Sequence, residues 1–164
     1  MNGTLDSQTS DNHWNQPVRM MLHDTLQRAI PDKIDQPTQQ LVIDDLERQM
    51  DDHEADFARA MAELQKIFVF TRPEEISGFL RSNRSLVTIL IDAAAPFTEA
   101  FPNSSVALDI MTEDGASRTI YALANWHGDR TTARNALKDF DERWWLTNMR
   151  KAAGRIVFDY ELMS

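Results

Sequence analysis

The pattern that most constrains this chain lies between residues 39 and 69. Ile43, Leu46, Met50, His53, Phe57, Ala60, Leu64 and Ile67 follow one another at intervals of 3, 4, 3, 4, 3, 4 and 3 residues. Residues so spaced line one face only if the backbone is helical, so the segment predicts a helix about 40 Å long or more, with Thr38 as its N-cap. A seam of this kind has to be covered. One cover is a second helix, with Leu46, Met50, Phe57, Leu64 and Ile67 as the apolar contacts. The flanking positions are Glu47, Gln49, Glu54, Asp56, Met61 and Glu63, nearly all acidic or neutral. A parallel homodimer would therefore repel itself, and an antiparallel pair or packing on unlike helices is preferred. The same spacing also fits an ordinary amphipathic helix lying on its own domain.

Upstream, residues 1–16 are largely Ser, Thr, Asn, Asp, Gln and Gly, too polar to offset the entropy of ordering, and are expected to be a disordered tail. Residues 17–30 predict a short helix, opened by Pro17 and stopped by Pro31, with Val18, Met21, Leu22, Leu26 and Ile30 at helical spacing. Residues 17–70 thus form a helical arm. A compact domain is expected over 71–164. Thr71, Pro73, Glu74 and Glu75 open a short helix, and Ser85 caps a second one. Val106, Leu108 and Ile110 alternate with Ala107, Asp109 and Met111, as in a half-buried strand. Asp114-Gly115 turns the chain into a partner strand over 118–126. A helix from about Thr131 to Ala152 carries Ala133, Leu137, Phe140 and Trp144 on its buried stripe, with Gly154 as its C-cap. A last strand places Ile156, Phe158, Tyr160 and Leu162 on one face. The fold class is α+β: a helical arm, then helix, helix, strand, strand, helix, strand, with a three-stranded antiparallel sheet.

The formal net charge is -9 and the sequence holds no cysteine. An acidic chain without a basic run argues against coating duplex nucleic acid or docking on an anionic membrane. Without cysteine there are no disulfides, thiolate nucleophiles or Cys-ligated metals. The first residues lack a basic and then apolar leader, and no apolar run reaches membrane-spanning length, so a cytoplasmic protein is expected.

Residues 73–164 resemble a family of small uncharacterised prokaryotic proteins common in cyanobacteria. The resemblance rests on Phe101-Pro102 before the first strand, on Ala136-Leu137 running into Phe140-Asp141-Glu142-Arg143-Trp144-Trp145-Leu146, and on Gly154-Arg155 followed by Phe158-Asp159-Tyr160-Glu161. That family more often has acidic residues where this chain has Arg143 and Thr147. The resemblance implies a domain boundary and no activity, and it does not reach residues 1–70.

Candidate chemistry is sparse. Adjacent helical side chains point about 100° apart, so Trp144, on the Phe140 stripe, and Trp145 are not expected to share a buried face. Trp145 is then either a partner contact or a cap on the sheet edge. Asp109, Asp159 and Glu161 lie on the non-core face of two strands, where converging carboxylates bind hard cations or act as acid and base; a solvated sheet face is the alternative. His13, His23, His53 and His127 are too scattered for a metal motif, and no phosphate-binding or nucleophile motif is present. Arg143, Trp144, Trp145 and Arg150 offer a weak stacking surface for single strands, against the acidic balance. No cofactor is expected. The reading is a non-enzymatic bacterial protein–protein interaction or regulatory module, partnered or self-associating through the heptad helix. The alternative is an enzyme or metal-binding protein using the sheet carboxylates.

Overall fold

The computed structural model describes residue 25, residues 36–113 and residues 117–163. The tail over 1–16 and all but Thr25 of the helix expected over 17–30 lie outside these residues, as does the turn at 114–116. The heptad segment is one helix, α1 (Gln36–Ile67). The boundary between two compact units falls within it, at His53 and Glu54.

The unit from Glu54 onward contains the end of α1, then β1 (Val69–Phe70), α2 (Pro73–Ser82), α3 (Ser85–Ala100), β2 (Ser105–Glu113), β3 (Ser117–Trp126), α4 (Arg130–Phe140), a π-helical turn (Asp141–Trp145), α5 (Leu146–Ala152) and β4 (Ile156–Leu162). The architecture is mixed α+β, as the alternating and helical periodicities required. Its sheet differs from the expected one. Among the described residues it has four strands in the order β1-β2-β3-β4, with β2 and β3 antiparallel but β1 parallel to β2 and β4 parallel to β3. The three-stranded antiparallel sheet is therefore corrected. The reason lies in the connections: a helical crossover of a dozen or more residues carries the chain back to the end where the preceding strand began, which makes the next strand parallel. β1 is only two residues long and carries no alternation to read.

All helices of this unit bury their stripes in one cluster against one sheet face. Val106, Leu108 and Ile110 from β2, Ile120, Ala122 and Ala124 from β3, and Ile156 and Phe158 from β4 form the floor. The end of α1 contributes Phe57, Met61, Leu64 and Phe68. At the centre, Phe97 on α3 meets Phe101, Phe140 and Phe158 edge-on with centroids 5.2, 4.9 and 5.1 Å apart. Edge-on contacts of this kind use the opposed charge of ring edge and face. α3 runs through Pro96, and Thr98 Oγ1 donates to the Ala94 carbonyl 2.7 Å away.

Local signals set the ends of the elements, with some exchanges of role. Asp129 caps α4, its carboxylate accepting from the Thr132 amide at 2.9 Å and the Thr132 hydroxyl at 2.6 Å. Gly128 precedes it because a Cβ there would stand 2.5 Å from the Trp126 indole nitrogen. Neither Thr71 nor Ser85 caps a helix; Arg72 and Arg84 hold those positions, and neither side chain makes a capping hydrogen bond. At the end of α5 the left-handed conformation begins at Ala153 (φ 49°) and continues at Gly154 (φ 73°), turning the chain into β4.

Candidate interaction surfaces

One side of the sheet is closed by side chains. β1 pairs with only two residues of β2, leaving Ile110 of β2 beyond its end. There Asp109 Oδ1 accepts from the Ile110 amide at 2.8 Å, and Arg72 donates to the Ile110 carbonyl. Arg72 also holds Asp109 at 2.7 Å, and the Thr71 hydroxyl donates to the same carboxylate oxygen at 2.7 Å. Burial pushes the Asp109 carboxyl up, but these hydrogen bonds and the Arg72 charge outweigh it and hold the group below the usual aspartate range. Thr71, expected to start a helix, instead joins this edge.

Of the three carboxylates expected to converge, Asp109 is thus engaged on β2, while Asp159 and Glu161 sit on β4 with β3 between. Two strand spacings amount to about 10 Å. The structure does not bring the three together, and among the described residues no group of three His, Asp or Glu is placed to hold a metal.

The opposite side of the sheet is β4, flanked by the π turn. In that turn the Leu146 amide bonds to the Asp141 carbonyl five residues back. One extra residue per turn makes each step smaller than in an α-helix. Trp144 and Trp145 therefore stack on each other, 6.1 Å apart and 15° from parallel, and both reach Phe158, Trp145 edge-on at 4.8 Å. The expectation that they cannot share a face rested on α-helical geometry and is corrected. Both are half-buried, while Leu146 and Met149 just beyond stand exposed. Burial first, then the charge of Asp159, pushes the Asp141 carboxyl up. Behind the turn, a groove of about 530 Å³ lies between α3 and α4, with Phe140 and Trp144 at its floor and Glu99, Asp139 and Arg143 among its rim residues. Arg143 and Asp139 approach to 3.6 Å there, both largely exposed, so the rim is polar and only loosely tied.

The seam residues proposed as partner contacts separate along α1. Phe57 and Leu64 are in the domain's own core, and Ile67 packs against it. Above Phe57, Arg81 and Arg84 place their guanidinium carbons 5.4 and 4.8 Å from the ring centroid. Glu54 accepts from both arginines, from Arg84 at 2.6 Å. Met61, assigned to a flank of the seam, is buried as well. Before residue 54, Ile43 is buried and Leu46 half-buried, but Met50 is exposed, together with Leu41 and Val42 outside the seam.

Two features escaped the sequence reading, the Arg72–Asp109 edge and the π turn. The only sequence signal for the second was Trp144-Trp145 on a stripe with room for one of them. No family model, no curated protein and no solved structure matches this chain.

Proposed function

We propose that this protein is a non-enzymatic interaction or regulatory module that engages a protein partner through the first half of α1. The observation that carries this reading is the exposure of Leu41, Val42 and Met50, at 69%, 43% and 40%, on a helix that also bears Asp44, Asp45, Glu47, Asp51 and Asp52. Exposed apolar side chains on one helix face are what a helix-in-groove or helix-pair contact uses as anchors; Val42 and Met50, eight residues apart, lie on the same side, while Leu41 lies on the other. The acidic neighbours favour an antiparallel or unlike partner over a parallel copy. The proposed setting is the cytoplasm, since a cysteine-free chain draws nothing from an oxidising compartment. Among the described residues no helix is long and apolar enough to cross a membrane.

The test is co-purification of the full chain from its native host, with its mass in solution measured alongside. A stoichiometric partner, or a second copy, that is lost with Met50→Asp while the circular dichroism is unchanged supports the reading. A lone monomer, or a partner that persists in Met50→Asp and Leu41→Asp, overturns it.

A further inference from the structure

The free edge of β4 is built differently from the rest of the sheet. The Ile120 amide donates to the Arg155 carbonyl and the Met163 amide to the Trp126 carbonyl, each at 2.9 Å. Residues 155 and 163 therefore face β3. Strand backbone groups alternate in direction, so 157, 159 and 161 face β3 too, and Ile156, Phe158, Tyr160 and Leu162 turn their amides and carbonyls away from it. Among the described residues β4 is the last strand; Ile156 is almost wholly buried, so the row able to template a further strand runs from Phe158 to Leu162.

The two sides of the sheet carry the same local device, complete on one side only. At β2, Asp109 takes the next residue's amide, and Arg72 supplies both a counter-charge for Asp109 and a donor for the Ile110 carbonyl. At β4, Asp159 takes the next residue's amide in the same way, Asp159 Oδ1 to Tyr160 N at 2.8 Å. Among the described residues Asp159 has no cationic partner, and Asp141 and Glu161 add negative charge beside it. Trp145 borders the edge on the helix side through Phe158, and Val157 lies half-buried on the other face.

A second copy of the chain is a poor occupant. The register that pairs all of β4 antiparallel with its own copy puts Asp159 opposite Asp159, and like charges directly opposite destabilise a sheet. We propose that the β4 edge accepts an extended, basic segment of another protein as a fifth strand, with an arginine seated on Asp159 as Arg72 is on Asp109. The incoming arginine takes the Asp159 charge, and the incoming backbone replaces the carboxylate on the Tyr160 amide. Main-chain hydrogen bonds hold such a strand, and its alternate side chains meet Trp145 on one face and Val157 on the other. This inference rests on the interaction-module reading and assigns it a second surface and the partner's chemistry.

The probe is a short capped peptide alternating valine and arginine, added to the full-length protein and followed by amide NMR and hydrogen exchange. The expected result is slowed exchange at Phe158, Tyr160 and Leu162 and saturable shifts along β4. A peptide N-methylated at its edge-facing amides, and a peptide with glutamate in place of arginine, should each bind at least roughly tenfold more weakly, as should Asp159→Lys protein to the original peptide. Equal binding of the N-methylated peptide means charge alone and overturns the proposal. So does no binding, or protection of the Phe158 and Leu162 amides in the free chain, whether monomeric or dimeric. If Met50→Asp loses a native partner while wild-type protein ignores the peptide, the module reading stands and the β4 inference falls. If the peptide binds as expected and α1 has no partner, the reverse holds, and the edge alone remains as the interaction surface.

Discussion

The two halves of α1 carry one repeat and meet two fates. After Glu54, Phe57 and Leu64 keep 8% and 0% of their surface and lie under α2 and α3 in a single core. Before it the seam is uneven: Ile43 keeps 3%, but Met50 keeps 40%, and Leu41 beside the seam keeps 69%. The polar residues differ in the same way. Glu54 bridges Arg81 and Arg84 across to another helix, whereas Arg48–Asp45 is a local pair with both side chains largely exposed. A heptad stripe states that a helix has a face to cover. It does not state whether the cover comes from the same chain.

This contrast can be broken or sharpened by substitution. The largest effect is expected at Leu64, where truncation to alanine in a fully buried site should cost about 2–5 kcal/mol in denaturant unfolding. A cost below about 0.5 kcal/mol, the usual range for surface changes, would mean that the second half of α1 is not core. Phe57→Leu stays apolar but loses some volume and the ring beneath Arg81 and Arg84, and should cost about 1–2 kcal/mol. Phe57→Tyr, which retains a ring face, should recover most of it.

Glu54→Gln should cost about 0.5 kcal/mol, since its arginine partners are half-exposed and screened by solvent. Burial pushes the Glu54 carboxyl up, but the arginine bonds and charges outweigh it and leave the group below its ordinary value. The unfolded chain then binds more protons than the native one, so this contribution is complete above the ordinary glutamate range and is lost as pH falls through the lowered value. Unfolding curves of wild type and Glu54→Gln should therefore differ at pH 7 and converge in acid. A gap that widens in acid would contradict the sign. The smallest effect on stability is expected from Met50→Asp, within about 0.5 kcal/mol, because the side chain already faces solvent. If it instead destabilises as Leu64→Ala does, the two halves are equivalent.

Much of the fold was legible because it depends on periodicity. Val106, Leu108 and Ile110 were separable from Asp109 and Met111 by alternation alone, since successive strand residues point to opposite faces. The long helix and the helix before β4 were legible for the corresponding helical reason. The candidate surfaces were less so. Asp109, Asp159 and Glu161 share a face by parity, but parity does not give the strand order, and β3 separates them. Thr71 looks like a helix cap and, with Arg72 at the start of α2, serves instead to close a sheet edge far along the chain at Asp109.

The sequence by itself determined which residues are helical, which alternate, and that the chain is acidic and cysteine-free, because these follow from local spacing and composition. Only the tertiary structure decided that β1 and β4 pair parallel, that a π turn brings Trp144 and Trp145 onto one face, and that half of the heptad seam belongs to the core. Each of these depends on what lies across from a residue in space. Local spacing fixes the direction of a side chain along its own element, and the packing of the other elements decides what that side chain meets.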